Sequence, residues 1–152
     1  DANTSQSVID IFDGLERLLG LEVFRNVFPV ILTDNGTEFS NPGAIERSVD
    51  GESVRTRVFY CDPYAAWQKP NVENNHRNLR RILPKGESMD FLTQEKVNLA
   101  LSHMNSVIRA SLGNVTAARR FAQCYGEDVL EKLGIGEIAP DQVRMTPELV
   151  RD

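Results

Sequence analysis

Val8, Ile9, Phe12, Leu15, Leu18 and Leu19 recur at three- and four-residue steps, the spacing that lays one apolar stripe along a helix. Asn3-Thr4-Ser5 ahead of them offers an N-cap, so an amphipathic helix is predicted to end near Gly20. Val27 to Thr33 is a short apolar run stopped by Asp34-Asn35-Gly36. That pattern predicts a buried strand whose end carries a carboxylate into a turn, where Gly36 can take positive φ. Pro29 fits there only if its backbone is not pairing. Pro42 to Glu46 fits a short helix, and Asp50-Gly51-Glu52-Ser53 a polar turn. Arg55 to Cys61 alternates with β-branched and aromatic content, which predicts a second strand ended by Asp62-Pro63-Tyr64.

Residues 65–70 form a connector whose Lys69-Pro70 pair disfavours helix at Lys69 and opens one just beyond. On that helix Val72, His76, Leu79 and Leu83 fall on a packing face, while Glu73, Arg77, Arg80 and Arg81 fall together on another. Thr93-Gln94-Glu95 caps a longer helix with a predicted buried stripe of Val97, Leu101, Met104 and Ile108. A helix near Ala117 to Tyr125 follows, then a short one through Leu133, a turn at Gly134-Ile135-Gly136 and an extended tail. There are no repeats and no low-complexity linker.

At 152 residues and 41% hydrophobic content the chain fits one domain by size, and no apolar segment approaches 18 residues, so no membrane span is expected. No signal peptide is visible. Cys61 and Cys124 lie far apart without metal-ligand spacing, in apolar surroundings that suit buried, reduced thiols, so a cytoplasmic location is expected. The formal charge of −5 argues against coating nucleic acid over the whole surface. Distribution changes that picture: Lys69 to Lys85 holds five Lys or Arg residues and one acid, Glu73. Such a local basic face suits phosphate contacts, and it is equally an ordinary solvated surface.

Asp-Asn-Gly alone also reads as a hairpin turn, and Glu73 with Arg77 also reads as a surface ion pair worth roughly 0.2–0.5 kcal/mol. Taken together, the motifs say more. Asp34-Asn35-Gly36-x-Glu38-Phe39, Phe59-Tyr60-Cys61-Asp62-Pro63-Tyr64, Trp67-Gln68-Lys69, Glu73-Asn74, Arg77, Arg80 and Pro84-Lys85-Gly86 occur in this order. In these residues, and from about residue 5 onward, the chain resembles the DDE transposases and integrases with a ribonuclease H-like core, specifically the insertion sequence thirty family of bacterial transposases.

The resemblance implies an α/β ribonuclease H-like integrase catalytic core, with residues 1–110 as core and 111–152 as a helical C-terminal extension. It implies Asp34 and Glu73 as catalytic and metal-binding carboxylates for two Mg²⁺ or Mn²⁺ ions. Phosphodiester transfer uses two such ions roughly 3.5 to 4 Å apart, and hard cations call for carboxylate oxygens. Lys69, Asn74, Arg77, Arg80, Arg81, Lys85 and Arg109 are the implied DNA contacts. DNA and a second copy of the chain are the implied partners, and the implied activity is DNA cleavage and strand transfer. A catalytically silent DNA-binding or assembly module, or a nuclease of the same superfold, are the alternatives.

The chain departs from the family in three places. Asn105-Ser106-Val107-Ile108-Arg109-Ala110 stands where the family has Asn-x-x-Pro-Arg-Lys, and Thr116-Ala117 where it has Thr-Pro. The family's first aspartate, on the first strand of its sheet, has no counterpart, because Asp1 immediately precedes a helix. The chain is therefore expected to lack the first three strands and the N-terminal DNA-recognition region, and to be inactive alone. The open edge of the Val27 to Thr33 strand is then expected to be covered by a second copy or by the tail from Gly136 onward. His76 reads as a phosphate contact or, preferably, a partly buried helix residue. Trp67 reads as a stacking partner for a flipped base or, preferably, as packed against the sheet.

Overall fold

The computed structural model describes residues 4–62 and 65–151, so Asp1, Asn3, Pro63 and Tyr64 lie outside the described residues. The chain forms two compact units, Asp1–Pro70 and Asn71–Asp152.

In the first unit, α1 (Ser5–Leu19) begins where the Thr4 hydroxyl accepts the Ser7 N–H at 3.2 Å. It ends at Gly20, whose φ of 82° is the left-handed geometry that glycine adopts without a Cβ penalty. A helix not anticipated, α2 (Leu21–Val27), starts at once. The expected strand is correspondingly shorter: β1 spans Val30–Thr33, and Val27 closes α2. Phe28 precedes Pro29, and the residue before a proline is kept out of helical geometry, so α2 stops there. α3 (Pro42–Glu46) has proline in its first turn and Asn41 as its cap. The polar turn forms as expected, with Asp50 Oδ1 accepting the N–H groups of Glu52 and Ser53 at 2.8 Å.

β1 pairs in parallel with β2 (Arg57–Tyr60), from Val30 opposite Arg57 to Thr33 opposite Tyr60. Arg55 and Thr56, expected in that strand, instead serve the core. The Arg55 side chain is wholly buried and donates to Ile45 O at 2.8 Å, Asp13 Oδ1 at 2.6 Å and Glu16 Oε2 at 3.1 Å. Buried Glu16 also accepts from the Ser48 hydroxyl and the Val49 N–H. This pairing is what makes a buried charge tolerable. Phe24, fully buried, packs edge-on to Phe12 at 6.3 Å, contacts Phe28 at 5.1 Å and lies under the Arg55 guanidinium at 5.7 Å. The other face of the sheet is bare: Val30, Leu32 and Phe59 are about half exposed. Among the described residues β1 pairs with β2 alone.

The second unit is mostly helical. α4 (Pro70–Ile82) buries Ile82 against Ala100 of α5 (Gln94–Asn105) and Val150 of α8 (Glu148–Arg151), with Leu83, Leu92, Met145 and Leu149 around them. Thr93 caps α5 as expected, accepting the Lys96 N–H at 3.3 Å. Of the predicted stripe, Met104 is buried, but Ile108 is exposed. The helix ends at Asn105, and β3 (Ile108–Arg109) turns back through Gly113 and Asn114, both at positive φ, to pair antiparallel with β4 (Val115–Thr116). α6 (Ala117–Tyr125) is capped by Thr116, and α7 (Glu127–Lys132) follows. Cys61 is buried as expected, whereas Cys124 is exposed, since α6 turns Ala118, Phe121, Ala122 and Tyr125 inward instead.

The tail expected to be merely extended carries α8 and is strapped to α5. Ser102 Oγ accepts the Gly136 N–H at 3.1 Å, Ser106 Oγ that of Ile138 at 2.8 Å, and His103 Nδ1 that of Arg144 at 3.0 Å. Three polar side chains on one helix thus satisfy backbone donors of a segment without regular pairing. Among the described residues no helix is long and apolar enough to cross a membrane.

Candidate functional site

Thr33 is buried and its carbonyl accepts the Cys61 N–H at 2.7 Å, which extends the β1 and β2 pairing to its last position. Asp34 therefore emerges into solvent directly from the end of a paired strand, its side chain 68% exposed. Gly36 has φ −62°, so this turn does not call on glycine's special freedom. Lys69 reaches the carboxylate, with Nζ 3.5 Å from Asp34 Oδ2.

Lys69 follows a 3-10 turn, Ala66–Gln68, that is fixed from both ends. The Asp62 N–H donates to Gln68 Oε1 and Gln68 Nε2 donates to Asp62 Oδ2, each at 2.9 Å, while the Ala65 and Gln68 N–H groups bond the Asp62 and Ala65 carbonyls. Trp67, expected to pack against the sheet, points into water from this turn and is 76% exposed.

Glu73 lies in the first turn of α4, where the N-terminal end of the helix dipole favours a carboxylate. Every residue from Asn71 to Arg77 is exposed. The expected packing face therefore fails at Val72 and His76, both exposed, because α4 is rooted only at its far end through Leu79, Ile82 and Leu83. The carboxylate of Glu73 has no ion pair within 4 Å among the described residues, so the alternative reading, a surface ion pair with Arg77, does not form; it shares a shallow depression with His76, Arg77 and Arg80. Asn74, Arg77, Arg80, Arg81 and Lys85 are all exposed. Arg109 is engaged differently: half-buried on β3, it donates from Nη1 to Asn75 Oδ1 of α4 at 3.4 Å, and its buried Nη2 has no hydrogen-bond partner.

No three His, Cys, Asp or Glu side chains gather into a metal cluster among the described residues. Mg²⁺ is commonly held by one or two carboxylates, with water and substrate phosphates completing its shell. Exposed carboxylate oxygens, such as those of Asp34 in the first unit and of Glu73 in the second, are hard donors of the kind such an ion takes.

No family model matches the chain, and no solved structure matches it. The transposase for insertion sequence element IS4351 of Bacteroides fragilis is 25% identical over 108 residues, covering 71% of this chain and 32% of that protein. The transposase for IS1086 of Cupriavidus metallidurans is 36% identical over 56 residues, 37% of this chain and 16% of the relative. Transposase InsI for IS30A of Escherichia coli is 30% identical over 60 residues, 40% of this chain and again 16% of the relative. This chain is similar to transposases of insertion sequences. It spans about a third of the first of these transposases and less of the others.

For a transposase relative, the residues that sequence patterns passed over are Asp62 and Gln68. Both sit inside the motif runs, but their mutual bonds close a loop with no periodicity, so the only prior signal is their place on either side of the connector to Lys69.

Proposed function

We propose that this chain is the catalytic core of a metal-dependent DNA transposase of ribonuclease H-like fold, residues 1–110 forming the core and 111–152 its helical extension. Asp34 and Glu73 are its catalytic, metal-binding carboxylates. The observation that carries this reading is the co-linear run of motifs by which the chain resembles the insertion sequence thirty family, in which Asp34 stands in solvent at the end of a strand and Glu73 in the first turn of a helix; the similarity to insertion-sequence transposases supports it. When bound, two Mg²⁺ or Mn²⁺ ions supply activation of the attacking oxygen and stabilisation of the leaving one. The chain's own residues hold those ions and the substrate. Asp34, paired here with Lys69, would hold a divalent ion, and Lys69, Asn74, Arg77, Arg80, Arg81, Lys85 and Arg109 would hold DNA phosphates. The partners are transposon ends and target DNA in the bacterial cytoplasm, together with further copies of the chain.

The test is a Mg²⁺- or Mn²⁺-dependent cleavage and strand-transfer assay of the full-length protein on DNA with terminal inverted repeats. Asp34→Asn and Glu73→Gln each lower the rate by orders of magnitude while DNA binding persists. Rates unchanged in both variants sink the carboxylate assignment. Binding without cutting under either metal points to the silent DNA-binding or assembly module instead.

A further inference from the structure

Trp67 is the single tryptophan of the chain and the most exposed large hydrophobic side chain among the described residues, at 76%. An indole is one of the largest apolar surfaces a chain can bury, yet this one stands in water. Asp62 and Gln68, on either side of it in sequence, are joined by two hydrogen bonds. Its neighbours in sequence, Gln68 and Lys69, are polar, and Lys69 lies against the Asp34 carboxylate. An exposed indole two residues from a lysine matches the platform that stacks bases of a single strand while a cation tracks its backbone.

We propose that Trp67 is a stacking platform for an unpaired nucleobase of the DNA strand that this chain processes. This rests on the DNA-processing function above and adds a base-binding residue to it. Because every base offers a π face, the contact tolerates sequence and holds the strand in place without reading it.

All indole emission of the chain comes from Trp67, which makes the test direct. A labelled single-stranded decanucleotide and an abasic phosphodiester of the same length are titrated separately, with binding followed by label anisotropy and stacking by indole emission. Both strands bind, and only the base-bearing strand quenches the indole. Trp67→Ala, checked for folding by circular dichroism, weakens that strand by roughly tenfold and leaves the abasic strand unchanged, while Trp67→Phe recovers most of the loss. Binding of both strands with identical indole emission overturns the stacking role but leaves the DNA function standing. Failure of both strands to bind overturns both. An emission change that depends on protein concentration without DNA assigns the indole to contact between copies and overturns the proposal.

Discussion

Lys69 Nζ lies 3.5 Å from Asp34 Oδ2, so the carboxylate proposed to hold a metal ion is met by a lysine. With Asp34 68% exposed, a surface pair of this kind is worth at most about 1 kcal/mol, or roughly fivefold in a binding constant. A divalent ion has to displace the ammonium. Lys69→Met should therefore tighten Mn²⁺ binding about two- to fivefold, as read by calorimetry; an unchanged or weaker affinity rules out this competition.

Arg77 and Arg81 stand exposed on α4, whose residues from Asn71 to Arg77 are all exposed. In an acidic protein, phosphate contacts have to be local. Changing both to alanine should lower the slope of log affinity for DNA against log salt by roughly 2. A slope equal to that of the wild type would mark these arginines as ordinary solvated surface.

Arg55 ties Asp13 and Glu16 of α1 to the Ile45 carbonyl inside the first unit. Removing the guanidinium strands a carboxylate, Glu16, that is 3% exposed. Arg55→Ala should cost about 3–5 kcal/mol of stability in urea denaturation. Adding Glu16→Gln should restore part of that loss; no coupling between the two changes refutes the account.

His103 is buried, and its Nδ1 accepts the Arg144 N–H, a bond that only an unprotonated nitrogen can make. Burial, and secondarily the charge of Arg144, push its pKa below the ordinary 6.5. A histidine depressed in the folded state binds fewer protons there than when unfolded. Its contribution to stability is therefore whole above pH 6.5 and falls as the pH drops from that value toward the lowered one. Urea midpoints should decline across this window in the wild type. His103→Gln, which cannot titrate, should show a flatter profile, and the hydrogen-exchange protection factor at the Arg144 amide should fall with acid only in the wild type.

Much of the local structure was legible in the residues themselves. Thr4, Thr93 and Thr116 cap helices because a hydroxyl at that position meets a free N–H two or three residues on. Pro42 and Pro70 open helices for the same local reason, a fixed φ and no donor to waste. Asp34 at the end of a strand and Glu73 in a first helical turn were also readable, since turn and proline signals bound both elements.

Burial was another matter, because it depends on what else arrives. The apolar spacing of Val72, His76, Leu79 and Leu83 describes a face, but only the lower half of α4 meets α5 and α8, so that face is covered at Leu79 and Leu83 and bare at Val72 and His76. Ser102, His103 and Ser106 read as polar residues on a helix, yet a segment about 30 to 40 positions later brings them the N–H groups that make them interior. Arg55 sits in a run patterned like a strand and becomes the centre of a core only through Asp13 and Glu16 of α1. Caps, turns and helix starts are settled within a few residues by hydrogen bonding and φ. Which side of each element meets protein, and which polar group finds a partner, is settled by contacts distant in sequence.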